Sequence, residues 1–583
     1  MNNLKLEYMK TLKPAPHRDG RELLKEGIEL GKTIEAGKSR FDRERGYKSF
    51  LDYKKQLTKE GKIFWNILIG LASVDEQVEG IKKLWEFTQR TGLRVDMVQP
   101  IGSGNTGLPK ELRDKAPATT SFVMTCPEDY IRQAEAAPFP VSWMDWVLTS
   151  PAAIETTMNA LQAGGPIIGV FCQIMWGYAG FTDEEQRFND VLKCFGIMAS
   201  KFDEDRVVMT YLDDGMAGYF TDCASYVGYA MLEHYVCRKL CGARYMIAFG
   251  GLLSDGDIRM ATAMALDKML STEDEPVIHY INGSTNLQWD HDIHANYGMS
   301  VPEMLLAILV ERKYHMGMGI NPVSITEKIA VPTLEELENI FVAGKRAEEI
   351  AYQWEDLVDF TKLENMRDVM AEQGRIFFEN TLQACREAGI DIEDPLEMIL
   401  FIRNINPMKF EQMFHPSTFN NDSIQVKPFY PTILGKQTTR MTNEIIEELK
   451  AKGLEGSLKG KKVVIGSVDC HTYGLLLVEG VLSTMGAEVV NAGVDVAPVD
   501  MLDLAKEVGT KYVGVSCHNG QALDYGRQLK QLSEGTDNVL FLGGVINSIL
   551  PGDSVPTDVS GMLRDIGILA TNNMEETVRK IAE

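Results

Sequence analysis

KKVVIGSVDCHTYG, residues 461–474, contains the pattern on which the fold assignment depends. The apolar run 463–466 has the length and β-branched content of a buried strand, and a helical pattern follows it at 475–485. Strands that alternate with helices predict a parallel sheet, so we expect residues 461–583 to form a doubly wound, flavodoxin-like domain. The other four strands of this sheet are predicted at 487–492, 512–516, 539–542 and 568–570.

The loop after the first of these strands contains Asp469-x-His471-x-x-Gly474. Open α/β sheets bind ligands at the carboxyl ends of their strands, which is where this loop lies. A neutral imidazole is a good ligand for cobalt, and a carboxylate two residues earlier can accept its other N–H. Gly474 has no Cβ, so a nucleotide tail can pass close to the main chain. The alternative is a surface loop in which His471 only caps the helix.

The DxHxxG pattern is that of cobalamin-binding domains, and residues 461–583 resemble the small cobalamin-binding subunit of glutamate mutase over their whole length. The resemblance implies that the chain binds adenosylcobalamin, with His471 as the lower cobalt ligand and Asp469 as a further cofactor-binding residue. It also implies that small residues line the channel for the nucleotide tail, namely Gly474, Ser516, Gly543, Gly544 and Thr571. His518 stands where the family has Leu, so the tail pocket differs locally.

Residues 61–404 have a different pattern, in which short apolar runs are each followed by a helical stretch. About eight such repeats fit a (β/α)8 barrel, whose active face is formed by the loops after the strands. Nine runs are candidates, so one of them is expected not to be a strand. They begin near Ile63, Val95, Ser121, Val141, Ile167, Val207, Tyr245, Val277 and Met316.

A helical extension of the barrel is predicted to begin at Thr333, which has capping-box spacing to Glu336. Polar side chains in the strand-end loops are the candidate substrate ligands, although each also has a structural interpretation. These candidates are Ser103, Asn105, Thr106, Gln173, Ser284, Thr285 and Asn286.

The barrel resembles, more weakly, the large subunit of glutamate mutase in ARYMIAFGGLLSDGDIRMATAMALDKM and NPVSITEKIAVPTLEE. The second segment implies that Glu327 contacts the ribose of the adenosyl group, whereas Val323 replaces the family's lysine. The family's glutamate-binding arginines are missing: Leu68 replaces one, and neither 107–110 nor VSWMDWVLTSP supplies another. Val170 replaces the glutamate that contacts the substrate amino group. These loops therefore cannot hold glutamate in the family's way.

A single chain with both parts most resembles 2-methyleneglutarate mutase, a radical isomerase that interconverts 2-methyleneglutarate and 3-methylitaconate. We therefore expect a small carboxylic acid as substrate. A glutamate-mutase-type isomerase with another small acid, a corrinoid methyltransferase protein and a non-catalytic cobalamin sensor are the alternatives. His291 and His294 have the residue type of metal ligands, but no third ligand with suitable spacing accompanies them.

Composition restricts the partners. The 583 residues include 59 Lys and Arg against 83 Asp and Glu, a formal charge of −24, which disfavours nucleic acid and anionic membranes. No apolar run approaches the ~20 residues of a membrane span, the N-terminus lacks the apolar core of a signal peptide, and the nine cysteines form no CxxC. A cytoplasmic enzyme is expected, and its N-terminal arm suggests a homodimer or tetramer. The predicted domains are an arm at 1–60, the extended barrel at 61–404, a linker at 405–460 and the cobalamin domain at 461–583.

Overall fold

The computed structural model of the chain divides into two compact units. One comprises Met1–Met175 and Asp183–Ile433, and the other comprises Trp176–Thr182 and Leu434–Glu583. Both contain a parallel sheet. The structure describes residues 3–116, 119, 121–178, 180–251, 253–284, 288–289, 291–328, 332–420, 426–468, 473–493, 496–518, 520–548, 550 and 556–583.

Seven parallel strands form the sheet of the first unit, in the order β2-β1-β7-β6-β5-β4-β3. Almost all of their residues are buried, as expected for strands covered on both faces. The strands are β1 Phe64–Ile69, β2 Met97–Pro100, β3 Ile167–Val170, β4 Val207–Tyr211, β5 Arg244–Gly251, β6 Ile278–Ser284 and β7 Gly319–Asn321.

Residues 141–143 lie beside both edges of this sheet. Val141 pairs with Val98 on β2, and Trp143 pairs with Ile168 on β3, both in parallel. Main-chain hydrogen bonds of 2.9–3.1 Å accompany the two pairs. Because one short segment reaches both edge strands, the sheet must be strongly curled, and its seven strands form at least a half-barrel.

Eight of the nine predicted strand runs pair with a neighbouring strand. Seven are β1–β7, and the eighth is 141–143. The run near Ser121 was predicted wrongly and is not a strand. The main chain of Phe122 instead accepts from Ser103 at 2.8 Å and donates to Leu71 at 3.1 Å. This apolar run therefore bonds to the loops that follow β1 and β2, and its composition alone does not distinguish it from a strand.

Helices follow the strands and cover the curled sheet. In the first unit they are α1 Asn3–Thr11, α2 Gly20–Lys32, α3 Arg40–Glu44, α4 Phe50–Lys59, α5 Val74–Thr91, α6 Lys110–Arg113, α7 Pro127–Ala136, α8 Ala153–Gln162, α9 Glu184–Ser200, α10 Cys223–His234, α11 Gly256–Leu270, α12 Ile293–Tyr314, α13 Leu334–Trp354, α14 Thr361–Ala388, α15 Pro395–Asn404 and α16 Pro407–Phe414. α17, Ile433–Ala451, begins at the boundary between the units.

Residues 1–60, predicted as an arm, contain α1–α4 and belong to the first unit. α2 packs very closely on α9 at Gly27. A Cβ at this position would lie only 2.0 Å from the carbonyl oxygen of Lys193, so only glycine permits this approach. α4 reaches the amino-terminal end of the sheet, where the buried Lys54 ammonium donates to the Ile278 carbonyl at 2.6 Å. This segment is therefore part of the core of the unit.

The predicted helical extension begins with the expected capping box. The Thr333 hydroxyl accepts from the Glu336 N–H at 3.3 Å, and the Glu336 carboxylate accepts from the Thr333 N–H at 2.7 Å. Residues 405–460, predicted as an irregular linker, instead contain α16 and α17. α16 has only eight residues, too few to show a clear helical period, and α17 is rich in polar residues.

α12 is the one helix in the described part of the chain that is long and apolar enough to cross a membrane by length and composition alone. It also contains the buried Glu311, whose carboxylate accepts from the N–H groups of Gly317 and Met318 at 3.0 and 2.9 Å. A hydrogen-bonded buried carboxyl group is typical of a core helix in a soluble protein.

The second unit contains the five predicted parallel strands, in the order β9-β8-β10-β11-β14. α18 packs against α22 at one side, and α19, α20 and α21 pack in sequence at the other. The strands are β8 Lys462–Ser467, β9 Glu488–Asn491, β10 Tyr512–Cys517, β11 Val539–Gly544 and β14 Leu569–Ala570, and the antiparallel pair β12 Asn547–Ser548 and β13 Thr557–Asp558 was not predicted. The helices are α18 Tyr473–Thr484, α19 Pro498–Glu507, α20 Ala522–Leu532, α21 Ser560–Asp565 and α22 Met574–Ala582.

Candidate active site

The residues predicted to bind the cofactor tail share one edge of the second unit's sheet. Ser516 lies near the end of β10, Gly543 and Gly544 end β11, and Thr571 directly follows β14. Gly474 is the second residue of α18, the helix that follows β8. Because the strands are parallel, all five positions lie at the carboxyl-terminal edge.

Short distances join these positions in pairs. A Cβ on Gly474 would lie 2.2 Å from the Ser516 hydroxyl oxygen, and one on Gly543 would lie 3.0 Å from the Thr571 carbonyl oxygen. Gly544 has a left-handed φ of 94°, and its Cβ would lie 2.2 Å from a carbonyl oxygen of β10. Close packing of neighbouring strand ends therefore favours glycine at these three positions.

Asn572, which was not singled out from the sequence, hydrogen-bonds to the main chain at this edge. Its Oδ1 accepts from the Gly544 N–H at 2.7 Å, and its Nδ2 donates to the Gly544 carbonyl at 2.9 Å. At Gly493, which follows β9, a Cβ would meet no atom within 4 Å. Hydrogen bonds thus fix the edge at β11, whereas beside β9 no atom of the described residues would contact a Cβ at Gly493.

Four predicted site residues lie outside the described residues, namely Asp469, His471, Thr285 and Asn286. Within the described ranges, no group of three or more His, Cys, Asp or Glu side chains could hold a metal ion. His291 and His294, which are described, therefore do not form such a group with other described residues.

Three of the predicted substrate ligands of the first unit are engaged by the protein itself. The Ser103 hydroxyl accepts from the Asn105 N–H at 3.2 Å and caps the short turn that contains Asn105. The Thr106 hydroxyl accepts from the Met124 N–H at 3.1 Å. The Ser284 hydroxyl donates to Glu303 at 2.6 Å. These contacts favour a structural role for Ser103, Thr106 and Ser284.

Two described candidates remain. Asn105 lies in the short turn Gly104–Gly107, and Gln173 hydrogen-bonds to an acidic residue that was not singled out from the sequence. Its Nε2 donates to Asp145 Oδ1 at 2.6 Å, and its Oε1 accepts from the Trp146 N–H at 2.9 Å. Asp145 lies two residues after the segment 141–143, and Gln173 lies three residues beyond β3. Burial raises the pKa of Asp145 to about 6, although the bond from Gln173 opposes this shift.

The main chain at Trp146 has a left-handed φ of 63°, which is rare for a bulky residue. The Trp146 indole N–H donates to the Gly102 carbonyl at 3.0 Å, beyond the end of β2. This bond and the one from Gln173 hold the unusual turn. In the sequence, the only sign of the site is a carboxylate within the apolar run VSWMDW.

A row of hydrogen-bonded polar side chains links the carboxyl ends of β4, β6 and β7. Asn282 Nδ2 donates to the Tyr211 hydroxyl at 2.5 Å, and Asn321 Nδ2 donates to Asn282 Oδ1 at 2.8 Å. Tyr211 and Asn282 are only partly buried, so this row borders the open face of the curled sheet.

Buried arginines at these strand ends are all engaged. Arg259 forms an ion pair with Glu303 at 2.5 Å, and Arg187 pairs with Glu184 at 3.1 Å. Arg113 donates to the Leu108 carbonyl at 2.8 Å. These guanidinium groups stabilise the loops.

Glu327, predicted to contact the adenosyl ribose, lies in a turn that follows β7. Its N–H donates to the Ser324 carbonyl at 3.1 Å, and its side chain is partly buried. Glu327 therefore follows the carboxyl end of β7, and Gln173 and Asn282 also lie at the carboxyl-terminal end of the strands.

No protein-family model matches this chain, and no curated protein matches it. A functional assignment therefore depends on the residues at the carboxyl ends of the strands in the two sheets.

Proposed function

We propose that the chain is an adenosylcobalamin-dependent carbon-skeleton mutase. The observation that supports the proposal is that small residues lie together at one edge of the second unit's sheet, namely Gly474, Ser516, Gly543 and Thr571. The loop that contains Asp469 and His471 follows β8 in the sequence and immediately precedes the helix of Gly474. The strand order, 2-1-3-4-5 in chain order, is that of flavodoxin-like doubly wound sheets, which bind ligands at this edge. We assign this fold to the second unit.

The small residues of the edge suit a bulky cofactor. Gly543 and Gly544 have no side chain, and a Cβ at Gly493 would meet no atom of the described residues within 4 Å, so a nucleotide tail could lie against the main chain. His471 would be the lower cobalt ligand, and Asp469 would accept its second N–H and fix its tautomer. A corrin ring supplies four ligands of its own, so one histidine from the protein suffices.

For the first unit we propose a closed (β/α)8 barrel in which 141–143 is the eighth strand. Its two parallel pairings with the edge strands support this closure. Barrel enzymes bind substrate at the carboxyl ends of their strands, where Asp145, Gln173, Asn282 and Glu327 lie. Adenosylcobalamin would supply a carbon radical that removes a hydrogen atom from the substrate. The barrel residues would orient the substrate and exclude water from the radical.

The proposed substrate is a small carboxylic acid. The resemblance to 2-methyleneglutarate mutase suggests 2-methyleneglutarate, and an amino acid such as glutamate is the alternative. We also propose a homo-oligomer, and for Glu327 a contact with the adenosyl group.

A cofactor titration tests the proposal. Adenosylcobalamin is added to the full-length protein, and binding is followed by its absorption spectrum. We expect saturable binding at one site per chain, with at least tenfold weaker binding by His471→Gly. The matched control is His294→Gly, because His294 is exposed and lies in the first unit. Absence of binding, or equal binding by both variants, would contradict the assignment.

The same preparation separates the mutase from a methyltransferase. With adenosylcobalamin and substrate, the mutase produces a rearranged acid whose carbon skeleton is visible by ¹³C NMR. Methyl transfer from methylcobalamin to a thiol, without rearrangement of any acid, would instead favour the corrinoid methyltransferase.

A further inference from the structure

The outer face of α13 exposes several large apolar side chains close together. Among the described residues, twelve large apolar side chains are exposed, and four of them lie within residues 342–357, namely Val342, Tyr352, Trp354 and Leu357. Leu357 is 75% exposed, more than any of the other eleven. Single exposed apolar residues are common, whereas a group of them on one helix marks an interaction surface.

A groove opens beside the middle of this face, between α12 and α13. It has a volume of about 590 Å³. Tyr297, Val342 and Ala343 contribute apolar side chains to its lining, and Lys345 and Arg346 contribute positive charge. Such a groove fits a partner that presents apolar side chains next to acidic ones.

The turn that ends α13 presents this combination of side chains. Trp354 and Leu357 are apolar and exposed, and Glu355 and Asp356 lie between them in the sequence. Arg312 of α12 holds the turn in place, because its Nε donates to the Glu355 carboxylate at 2.7 Å. A turn that is already fixed loses little conformational entropy when it binds.

This turn cannot enter the groove of its own chain. Ala343 and Trp354 are eleven residues apart on one helix, which separates them by about 16 Å along its axis. A second copy with its α13 antiparallel, related by a two-fold axis near residues 348–350, places each turn against the groove of the other copy. Glu349 lies near this axis, and its charge is compensated within each copy by Arg346, which is 2.5 Å away.

We propose that this face of α13 is the interface of a homodimer, in which Trp354 and Leu357 of each copy enter the groove of the other. Asp356 then lies near Lys345 of the second copy, so opposite charges meet on both sides of the axis. The inference names the contact surface of the proposed homo-oligomer and rests on that part of the proposed function alone. Residues 1–60, from which an oligomer was expected, instead belong to the core of the first unit.

Sedimentation velocity of the full-length protein at micromolar concentrations tests the inference. We expect a species of twice the chain mass that dissociates on dilution. Leu357→Ser should weaken the dimer at least tenfold, because it removes the most exposed apolar side chain of the interface. The matched control is Leu532→Ser, because Leu532 is 51% exposed and lies in the second unit. This control should leave the dimer unchanged.

An exchange of charges tests the antiparallel arrangement. Lys345→Glu and Asp356→Lys each place like charges opposite one another, so each alone should weaken the dimer at least tenfold. Combined in one chain, the two substitutions restore opposite charges, and the double variant should recover most of the affinity. Lys32→Glu is the control, because the Lys32 side chain is 60% exposed on α2, and it should not alter dimerisation.

A monomer at every concentration would overturn the inference. So would an oligomer that persists unchanged in Leu357→Ser and Lys345→Glu, or a double variant that dimerises no better than the single ones. Melting curves show whether each variant is folded, and these exposed substitutions should leave the fold of the chain intact. Cobalamin uptake by the same protein is measured separately, so a failure here leaves the cofactor assignment to be judged by its own experiment.

Discussion

Glu233 on α10 provides a prediction that depends on the fold of the first unit and not on its function. Its carboxyl group is fully buried and accepts from the Tyr245 hydroxyl at 2.6 Å. Burial raises its pKa from 4.5 to about 7. We therefore expect Glu233→Gln, which resembles the protonated acid in shape and charge, to alter how stability depends on pH.

The magnitude follows from the shift. Between pH 4.5 and 7 the unfolded state loses this proton while the folded state keeps it, so the free energy of unfolding falls as the pH rises. A shift from 4.5 to about 7 corresponds to about 3 kcal/mol when complete. Near pH 4.5, wild type and Glu233→Gln should be similarly stable. At pH 8 the variant should be more stable by up to about 3 kcal/mol.

Urea unfolding at pH 5, 6, 7 and 8, followed by tryptophan fluorescence, measures this difference. Six of the seven tryptophans lie in the first unit, so the signal reports mainly on that unit. Other buried acids titrate in both proteins, and they cancel in the comparison. A difference between variant and wild type that stays constant from pH 5 to 8 would refute the reasoning.

The remaining predictions concern packing and capping. Gly474→Ala should destabilise the second unit by about 1–3 kcal/mol through overpacking against the Ser516 hydroxyl. Adding Ser516→Gly should restore most of that loss. A double mutant as unstable as Gly474→Ala alone would contradict the 2.2 Å distance between the added Cβ and the hydroxyl oxygen. Gly544→Ala should be at least as destabilising, because the added Cβ would meet a main-chain carbonyl oxygen of β10 and the φ of this residue is left-handed. Ser516→Gly should not rescue it. A fall of less than 1 °C in the melting temperature of Gly544→Ala would contradict this prediction. Thr333→Ala should cost about 1 kcal/mol by removing the capping box, and Thr333→Ser should recover most of it.

The sequence predicted the parallel strands of both sheets because each is a short apolar run between helical patterns. It misassigned the run near Ser121, whose composition is that of a strand but whose main chain bonds to neighbouring loops. Local pattern reveals that a segment is extended and buried. It does not reveal which main chain lies beside it.

The role of the N-terminal helices could not be predicted for a related reason. The periodicity of α2 fits a solvated helix as well as a packed one. Glycine at position 27 permits its close approach to α9, and only the fold shows what would occupy the space of the missing Cβ.

Prediction of the site was uneven. That Ser516, Gly543, Gly544 and Thr571 share one edge of the second unit's sheet was predictable, because residues at the carboxyl ends of successive parallel strands lie at the same edge. That a cofactor binds at this edge is our proposal. In the first unit, Ser103 and Ser284 were chosen as polar loop residues, but such hydroxyls also cap turns and hydrogen-bond to carboxylates of the protein. Asp145 was overlooked because a lone carboxylate in an apolar run has no motif, and because its hydrogen-bond partner, Gln173, lies in a turn that follows another strand, β3.

Electron paramagnetic resonance of the protein-bound cofactor tests the central claim most directly. Adenosylcobalamin is bound to the protein and photolysed, which breaks the Co–C bond homolytically and leaves Co(II) and a deoxyadenosyl product, and the spectrum is compared with that of protein containing ¹⁵N-labelled histidine. If His471 is the lower cobalt ligand, labelling changes the nitrogen splitting of the cobalt signal from three lines to two, and His471→Gly abolishes this change. A three-line splitting that survives labelling would show that the cofactor's own base still holds the cobalt, and it would contradict the account.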